Sequence, residues 1–235
     1  MAPLVSPLVS GYINFVARNH DQLLIRLLEH AEIVAISIAL AVPIGVLLGT
    51  LITFNDTAAT IVLWLAGITM TVPSIALFGL LIPVVGIGTT PVIVALVLYS
   101  QLPIIRNTYV GLTDVDPAAI EAGRGMGMTT TQRLWCVQLP MALPIIMAGV
   151  RNAVVILIGI AAIGAFIGAG GLGDFIFRGI GLADVEMIVV ATVLLSLLAL
   201  AFDYGFGVSE QLFRIRNGEC VEPALVTRLV QKVIT

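Results

Sequence analysis

Residues 57–105 have the sequence TAATIVLWLAGITMTVPSIALFGLLIPVVGIGTTPVIVALVLYSQLPII and contain no Asp, Glu, Lys or Arg. An α-helix rises about 1.5 Å per residue, so about 20 apolar residues cross the roughly 30 Å hydrocarbon layer of a membrane. This run is long enough for two such helices, and the turn-forming sequence PVVGIG at 83–88 divides it. It therefore predicts two membrane-spanning helices, at 58–82 and 90–105.

Similar charge-poor stretches lie on both sides of this run. They predict three further spans, at 33–55, 143–167 and 187–206. The composition supports this interpretation, because 59% of the residues are apolar and 11% are charged, against roughly 45–50% and 25% in soluble domains. We therefore predict an all-α polytopic membrane protein with about five transmembrane helices and a membrane domain at 33–206.

The remaining composition excludes several classes of function. The net charge is −3, so the chain has no basic surface for nucleic acid. Cys136 and Cys220 form neither a CxxC pair nor a disulfide framework, and His20 and His30 do not form a metal-binding cluster. The only lysine, Lys232, does not stand in a GxxxxGK[ST] motif. We therefore expect no metal, no catalytic residue and no cofactor in this chain.

The two ends of the chain differ in charge. Leucines recur at helical spacing within residues 20–31, which favours an interfacial helix in an N-terminal segment at 1–32. If the connection at 106–139 and the C-terminal tail at 207–235 share one side of the membrane, that side carries seven of the eleven Arg and Lys residues. By the positive-inside rule, we predict that these two segments are cytoplasmic and that the N-terminus lies outside.

The connection at 106–139 is too long and too structured for a simple linker. Asp116 followed by Pro117 predicts an N-cap and a first helical position, where the missing N–H of proline is tolerated. A short helix follows over 118–122, then three glycines, and one of the threonines at 129–131 can cap a second short helix that continues to Trp135. The pattern predicts a helix–bend–helix whose small and apolar residues suit docking to another protein.

This connection resembles the EAA loop of ABC-importer permeases, in which EAA, three residues, G, nine residues, I, one residue and LP follow one another. The matching residues are Glu121-Ala122-Gly123, Gly127 and Val137-Gln138-Leu139-Pro140, and the spacing agrees throughout. Gly123 replaces the second alanine, which leaves the end of the first helix open, and Val137 replaces isoleucine. The sequences at 71–77, 102–109 and 168–174 are in addition similar to permeases of glycine betaine, carnitine and choline importers.

The resemblance implies a permease subunit of a type I ABC importer in the bacterial plasma (inner) membrane. Its solute would be a compatible solute such as glycine betaine or a related quaternary amine. Its partners would be ABC ATPase subunits that bind ATP and Mg²⁺, a second permease subunit, identical or homologous, and an extracytoplasmic solute-binding protein. The residues that couple this chain to the ATPase would be Asp116, Pro117, Glu121, Ala122, Gly123, Gly127, Leu139 and Pro140.

Two other groups of residues are candidates for a role in transport. The glycine-rich sequence with Gly168, Gly170, Gly171 and Gly173 is either an outer gate or docking loop or a flexible turn. Prolines bend helices and free backbone carbonyls, which is tolerated where the backbone lines a cavity. The candidates for the pathway wall are Pro73, Ser74, Tyr99, Ser100 and Gln101, and ordinary kinks with polar side chains facing other helices are the alternative.

Arg151 and Asp203 are ionisable residues inside predicted spans, and we expect them to form structural pairs rather than substrate contacts. A secondary transporter or channel that works without an ATPase is the alternative function. Such proteins usually carry coupling carboxylates or broken helices at the midplane, whereas the first three predicted spans contain no charged residue. An intramembrane enzyme is less consistent with the sequence, because it contains no GxSxG motif and no metal-ligand cluster.

Overall fold

The structure is a computed structural model that describes residues 5–216, and all its secondary structure is helical there. The helices are α1 (Val5–Ile52), α2 (Asp56–Thr71), α3 (Ser74–Val85), α4 (Thr89–Thr113), α5 (Pro117–Gly125), α6 (Thr130–Arg133), α7 (Leu139–Ile163), α8 (Gly173–Leu182) and α9 (Val185–Arg216). A π-helical turn at Leu134–Gln138 precedes α7, and a 3₁₀ turn at Gly164–Ile167 follows it. Most of the predicted C-terminal tail, residues 217–235 with Cys220 and Lys232, lies outside the described residues.

Four of the described helical segments are long and apolar enough to cross a membrane. They are Ser10–Ile52, Thr89–Thr113, Thr130–Ile167 and Val185–Gln211, and the pair α2 and α3 makes a fifth if the two are counted as one bent span. The predicted all-α membrane fold with about five spans is therefore confirmed. α1 is continuous, so the predicted boundary between 1–32 and 33–206 is not marked by the end of a helix.

The predicted span at 58–82 consists of two helices, and the break or bend expected at Pro73 is confirmed, because the chain bends by 100° between α2 and α3. Val72 precedes a proline, which disfavours the helical conformation, and Pro73 itself is extended with φ −59° and ψ 132°. The two helices have 16 and 12 residues, about 24 Å and 18 Å at the usual rise, so neither crosses the hydrocarbon layer alone.

The predicted end of the third helix at 105 is wrong, since α4 continues through Pro103 to Thr113. The side chains of Asn107 and Thr108 donate hydrogen bonds to the carbonyls of Pro103 and Ile104, at 2.8 Å each. Residues 106–113 contain no proline. The connection to α7 is therefore shorter than predicted, and we use the name coupling segment for residues 114–138.

The chain divides into two compact units. Within the described residues, unit 1 contains 5–40, 71–99 and 154–201, and unit 2 contains 41–70, 100–153 and 202–216. The core of unit 1 includes Leu23, Phe175 and Met187. In unit 2, a Cβ atom at Gly45 or Gly49 would lie 2.5 Å from the side chain of Ile104 or Thr108, respectively. The GxxxG sequence at 45–49 therefore packs tightly on α4, as the spacing predicts.

Candidate functional site

The coupling segment stands on a rigid stem formed by α4 and α7 within unit 2. A Cβ atom at Gly149 would lie 2.5 Å from Cβ of Asn107, and one at Gly111 would lie 3.2 Å from the carbonyl oxygen of Ala142. At Gly149 only glycine permits this close approach, and at Gly111 a larger residue would crowd the neighbouring helix. Below the segment, Leu139 packs with Leu112 and other apolar residues of both helices. The coupling segment is therefore packed closely on α4 and α7.

The first part of the coupling segment is α5, and it begins where the sequence predicts. The Oδ1 atom of Asp116 accepts a hydrogen bond of 2.8 Å from the backbone N–H of Ala118, and Pro117 occupies the first turn. The helix continues through Gly123 to Gly125, so the glycine that departs from the family pattern does not end it. The predicted N-cap, the proline at the helix start and the short helix are all confirmed.

The bend after α5 depends on Gly127 and on Arg133. Gly127 has φ +78°, in the left-handed region that favours glycine. Met128 donates its backbone N–H to the carbonyl of Gly123 at 3.1 Å, and Arg133 donates to the carbonyl of Met128 at 3.0 Å. A Cβ atom at Gly127 would meet nothing within 4 Å, so the backbone conformation and not crowding explains this glycine.

A capping box and a π-helical turn complete the coupling segment. The hydroxyl of Thr129 accepts from the N–H of Gln132, and the Gln132 amide oxygen accepts from the N–H of Thr129 at 2.8 Å. Pro140 has no N–H for the carbonyl four residues earlier, and the register shifts there, so that the N–H of Leu139 donates to the carbonyl of Leu134. Thr129 is thus the cap among the three candidate threonines.

Several residues of the coupling segment that are small or apolar are exposed to solvent. Ala122 and Gly127 are exposed, as are the large side chains of Met126 and Trp135, which are 69% and 66% accessible. At its edge, the carboxylate of Glu121 pairs with Arg124 at 2.7 Å. We call these residues the coupling surface. An open apolar centre with a charged edge is typical of a surface that docks on another protein.

The structure brings together only part of the predicted coupling residues. Asp116 through Gly127 form one compact body with Arg133, and Leu139 lies half-buried beneath it in the stem. Sequence reasoning missed the exposed Met126 and the role of Arg133. Both stand at positions that the motif spacing leaves unspecified, so no sequence signal identified them.

Arg151 and Asp203 form the structural pair that we expect from their positions in apolar helices. The guanidinium of Arg151 donates two hydrogen bonds to the Asp203 carboxylate, from Nε to Oδ1 and from Nη2 to Oδ2, the latter at 2.7 Å. Glu210, two turns further along α9, lies 3.8 Å from Arg151 Nη1. This bidentate ion pair connects α9 to α7 within unit 2.

The predicted pathway residues surround the break between α2 and α3 or lie on α4. Tyr99 is buried, and its hydroxyl donates a hydrogen bond of 2.5 Å to the carbonyl of Val72, which the proline break leaves without a helical partner. Pro73 is exposed and Ser74 is half-buried. Ser100 and Gln101 follow on α4, and both are buried. Their place in a transport pathway stays a prediction.

The glycine-rich loop at 168–173 lies in unit 1 and leads into α8, a helix that sequence reasoning missed. Gly168, Gly170 and Gly171 have φ between +76° and +80°. Gly173 begins α8, and a Cβ atom there would collide with the carbonyl oxygen of Ala162. Two more glycines inside this ten-residue helix hide it from the sequence pattern, because glycine is a poor helix former.

Sequence comparison places the chain among transport proteins. Residues 41–215 match the family described as binding-protein-dependent transport system inner membrane component. The osmoprotectant import permease protein OsmW of Salmonella typhimurium is 46% identical over 197 residues, which cover 82% of this chain and 92% of that protein. The choline transport system permease protein OpuBB of Bacillus subtilis is 41% identical over 199 residues, which cover 85% and 92%.

Structural comparison gives the same result. The MetNI methionine ABC transporter in inward-facing conformations contains a chain that matches with a TM-score of 0.72 and 25% identity, covering 82% of this chain and 96% of that one. A second crystal form of the same transporter matches with a TM-score of 0.71 and 26% identity. The fold found here is therefore that of a subunit in a known ABC transporter.

Proposed function

Because this chain belongs to the family of inner membrane components of binding-protein-dependent transport systems, we propose that it is the permease subunit of an ATP-driven importer. Its solute is a compatible solute, glycine betaine or a related quaternary amine. This proposal of a solute rests on the names of the relatives, which are permeases for osmoprotectants, choline, or glycine betaine and carnitine. The chain itself is not a catalyst.

The coupling surface is the observation that carries this proposal. It is an exposed apolar and glycine-containing face on a capped helix, held on a close-packed stem of two membrane helices. A protein that must receive a displacement from a separate ATPase needs such a face to bind that ATPase. A channel or secondary transporter that works alone has no need of it.

ATP hydrolysis is coupled to transport by a movement of the coupling segment together with α4 and α7. When two ATPase subunits bind ATP and close, each moves the coupling surface that is docked on it. Because α4 and α7 touch backbone to side chain at Gly111 and Gly149, they follow this displacement instead of absorbing it. The movement converts the permease pair between inward-open and outward-open states.

The proposed complex contains two permease subunits, two ATPase subunits with ATP and Mg²⁺, and an extracytoplasmic solute-binding protein. In this arrangement the coupling segment and the C-terminus are cytoplasmic and the N-terminus lies outside, as the distribution of Arg and Lys favours. No nucleotide, metal or other cofactor belongs to this chain itself.

The test of the function is reconstitution with the partner subunits. We expect the chain to co-purify with an ATPase when it is expressed with the genes beside its own, and the complex to accumulate glycine betaine or choline in liposomes only with ATP and the binding protein. A matched complex whose ATPase cannot hydrolyse ATP should accumulate none. Uptake by the chain alone, without ATP, would show the alternative function of a secondary transporter or channel.

The test of the orientation uses Cys136, which is exposed on the coupling segment. In intact cells that carry Cys220→Ser, a membrane-impermeant maleimide should not label Cys136. The same reagent should label Ile87→Cys in a variant that also carries Cys136→Ser and Cys220→Ser, because Ile87 is 75% accessible in the turn before α4. Labelling of Cys136 from outside contradicts the orientation.

A further inference from the structure

Three charged side chains of unit 1 meet where α1 faces the beginning of α8. Arg26 of α1 donates to the Glu29 carboxylate at 2.7 Å, and its other terminal nitrogen lies 3.0 Å from Asp174 of α8. The pair of Arg26 with Asp174 joins two helices that are far apart in the sequence.

The same cluster holds the backbone of the glycine loop. Oε2 of Glu29 accepts a hydrogen bond of 3.0 Å from the N–H of Gly171. A Cβ atom at Gly170 would lie 2.7 Å from this oxygen, and one at Gly171 would lie 3.0 Å from Nδ1 of the buried His30. The loop therefore lies directly on α1, and its glycines are required for this close approach.

From these contacts we infer that Glu29, with Arg26 and Asp174, forms a latch. The latch closes the loop at 168–173 on α1 in the conformation described here, and it opens during the transport cycle. Glu29 is the central residue, because its carboxylate contacts both the guanidinium of Arg26 and the backbone N–H of Gly171. The opening step rests on the proposed function, whereas the closed latch does not.

Three observations favour a latch over a permanent brace. The side chains of Arg26, Glu29 and Asp174 are 37%, 37% and 27% accessible, and an ion pair this open to solvent stabilises the closed arrangement by no more than about fivefold. Cavities of about 310 and 370 Å³ are both lined by Arg26 and Glu29 and leave room for these side chains to turn. The left-handed glycines at 168, 170 and 171 give the loop hinge positions.

Ala169 offers a reporter for the closed latch, since it lies inside the loop and is 7% accessible. We would introduce Ala169→Cys into the full chain with both native cysteines changed to serine, and measure maleimide labelling in lipid nanodiscs, where both membrane faces are accessible. Glu29→Ala should accelerate labelling by up to about fivefold, the factor expected for a lost half-exposed ion pair. Glu29→Gln should give a smaller increase, because its amide oxygen still accepts from Gly171.

Glu32→Gln is the matched control. Glu32 lies one turn further along α1 and lines the same cavity, but it takes part in none of the latch contacts, so its loss should leave the labelling rate unchanged. Asp174→Asn breaks the contact to α8 alone, and together with Glu29→Gln it decides the result if Glu29→Ala does not accumulate. Labelling of all latch variants at the rate of the control overturns the latch.

The second arm uses the assembled transporter with its ATPase and binding protein. During ATP hydrolysis with solute-loaded binding protein, Ala169→Cys should be labelled faster than in the resting complex. An unchanged rate while ATP is hydrolysed shows a permanent brace and overturns the opening step. A complex that hydrolyses no ATP counts against the proposed function instead, and the nanodisc comparison then decides the latch by itself.

Discussion

The coupling segment at 114–138 and the glycine loop at 168–173 both join helices through several glycines, yet different contacts hold them. In the coupling segment, each polar bond that fixes the bend joins residues at most five positions apart, such as Arg133 to the carbonyl of Met128. The glycine loop is held by Glu29, 142 positions away from Gly171. One connection is shaped by its own sequence, and the other by a distant helix.

This difference explains what sequence could predict in each place. A cap, a proline at a helix start and a capping box are local patterns. The sequence around Asp116, Pro117 and Thr129 therefore predicts the local structure. The contact between Arg26 and Asp174 exists only in the folded chain, so no local pattern predicts it. Substitutions at glycines and caps in the two connections should therefore differ in their effect on stability.

The largest effect should come from Gly173→Ala at the start of α8. A Cβ atom there would collide with the carbonyl oxygen of Ala162, which is backbone and cannot turn aside. Crowding of this kind costs about 3 kcal/mol. Thermal unfolding of the purified chain in detergent measures the loss. Gly181→Ala, in the same helix with no atom within 4 Å of its Cβ position, is the control and should not destabilise.

The second effect should come from Gly127→Trp in the coupling segment, where the surroundings are open and only the backbone resists. A non-glycine residue at φ +78° costs about 1–2 kcal/mol, so the protein should remain abundant in the membrane. Its side chain would stand on the coupling surface, and solute-stimulated ATP hydrolysis should be lost. Glu121→Lys, which reverses the charge at the edge, should have the same functional effect.

Gly127→Ala separates the two causes, because it carries the same backbone strain without the bulk. It should retain most of the ATP hydrolysis that the tryptophan variant loses. Normal stimulation in both Gly127→Trp and Glu121→Lys would contradict the assignment of this face as the coupling surface. A loss in the alanine variant equal to that in the tryptophan variant would move the cause from docking to backbone geometry.

A third, smaller effect should follow from Asp116→Ala. It removes the side-chain oxygen that caps α5, and the loss of such a cap costs about 1 kcal/mol. Asp114→Ala changes a neighbouring exposed acid that does not cap the helix, so it should be nearly neutral. Hydrogen exchange of the α5 amides compares the two, and equal protection in both variants would refute the capping role.

Sequence predicted the fold well wherever one property of one segment decided it. The apolar runs gave the spans, and the motif spacing gave the coupling segment. The angle of the bend at Pro73 and the helix α8 depend on distant partners. The break itself is expected from Pro73, but its 100° angle is stabilised by Tyr99, 27 positions away. Helix α8 forms from a poor helix-forming sequence because Asp174 and Phe175 find partners elsewhere in unit 1. Such partners appear only after folding.

The smallest effect should be seen at Gly123, where the chain departs from the alanine of the family pattern. Gly123 is buried inside α5, and a Cβ atom there would lie 3.4 Å from Met128 Sδ and from Arg133 Cγ. Both are flexible side chains that can yield by a few tenths of an ångström. Alanine is favoured over glycine inside a helix by about 0.5–1 kcal/mol, so Gly123→Ala should stabilise α5 slightly and leave coupling intact. Slower hydrogen exchange in α5 with unchanged ATP hydrolysis would confirm this. Faster exchange would mean that Arg133 needs the space that glycine leaves, and the bend would then depend on close packing as the glycine loop does.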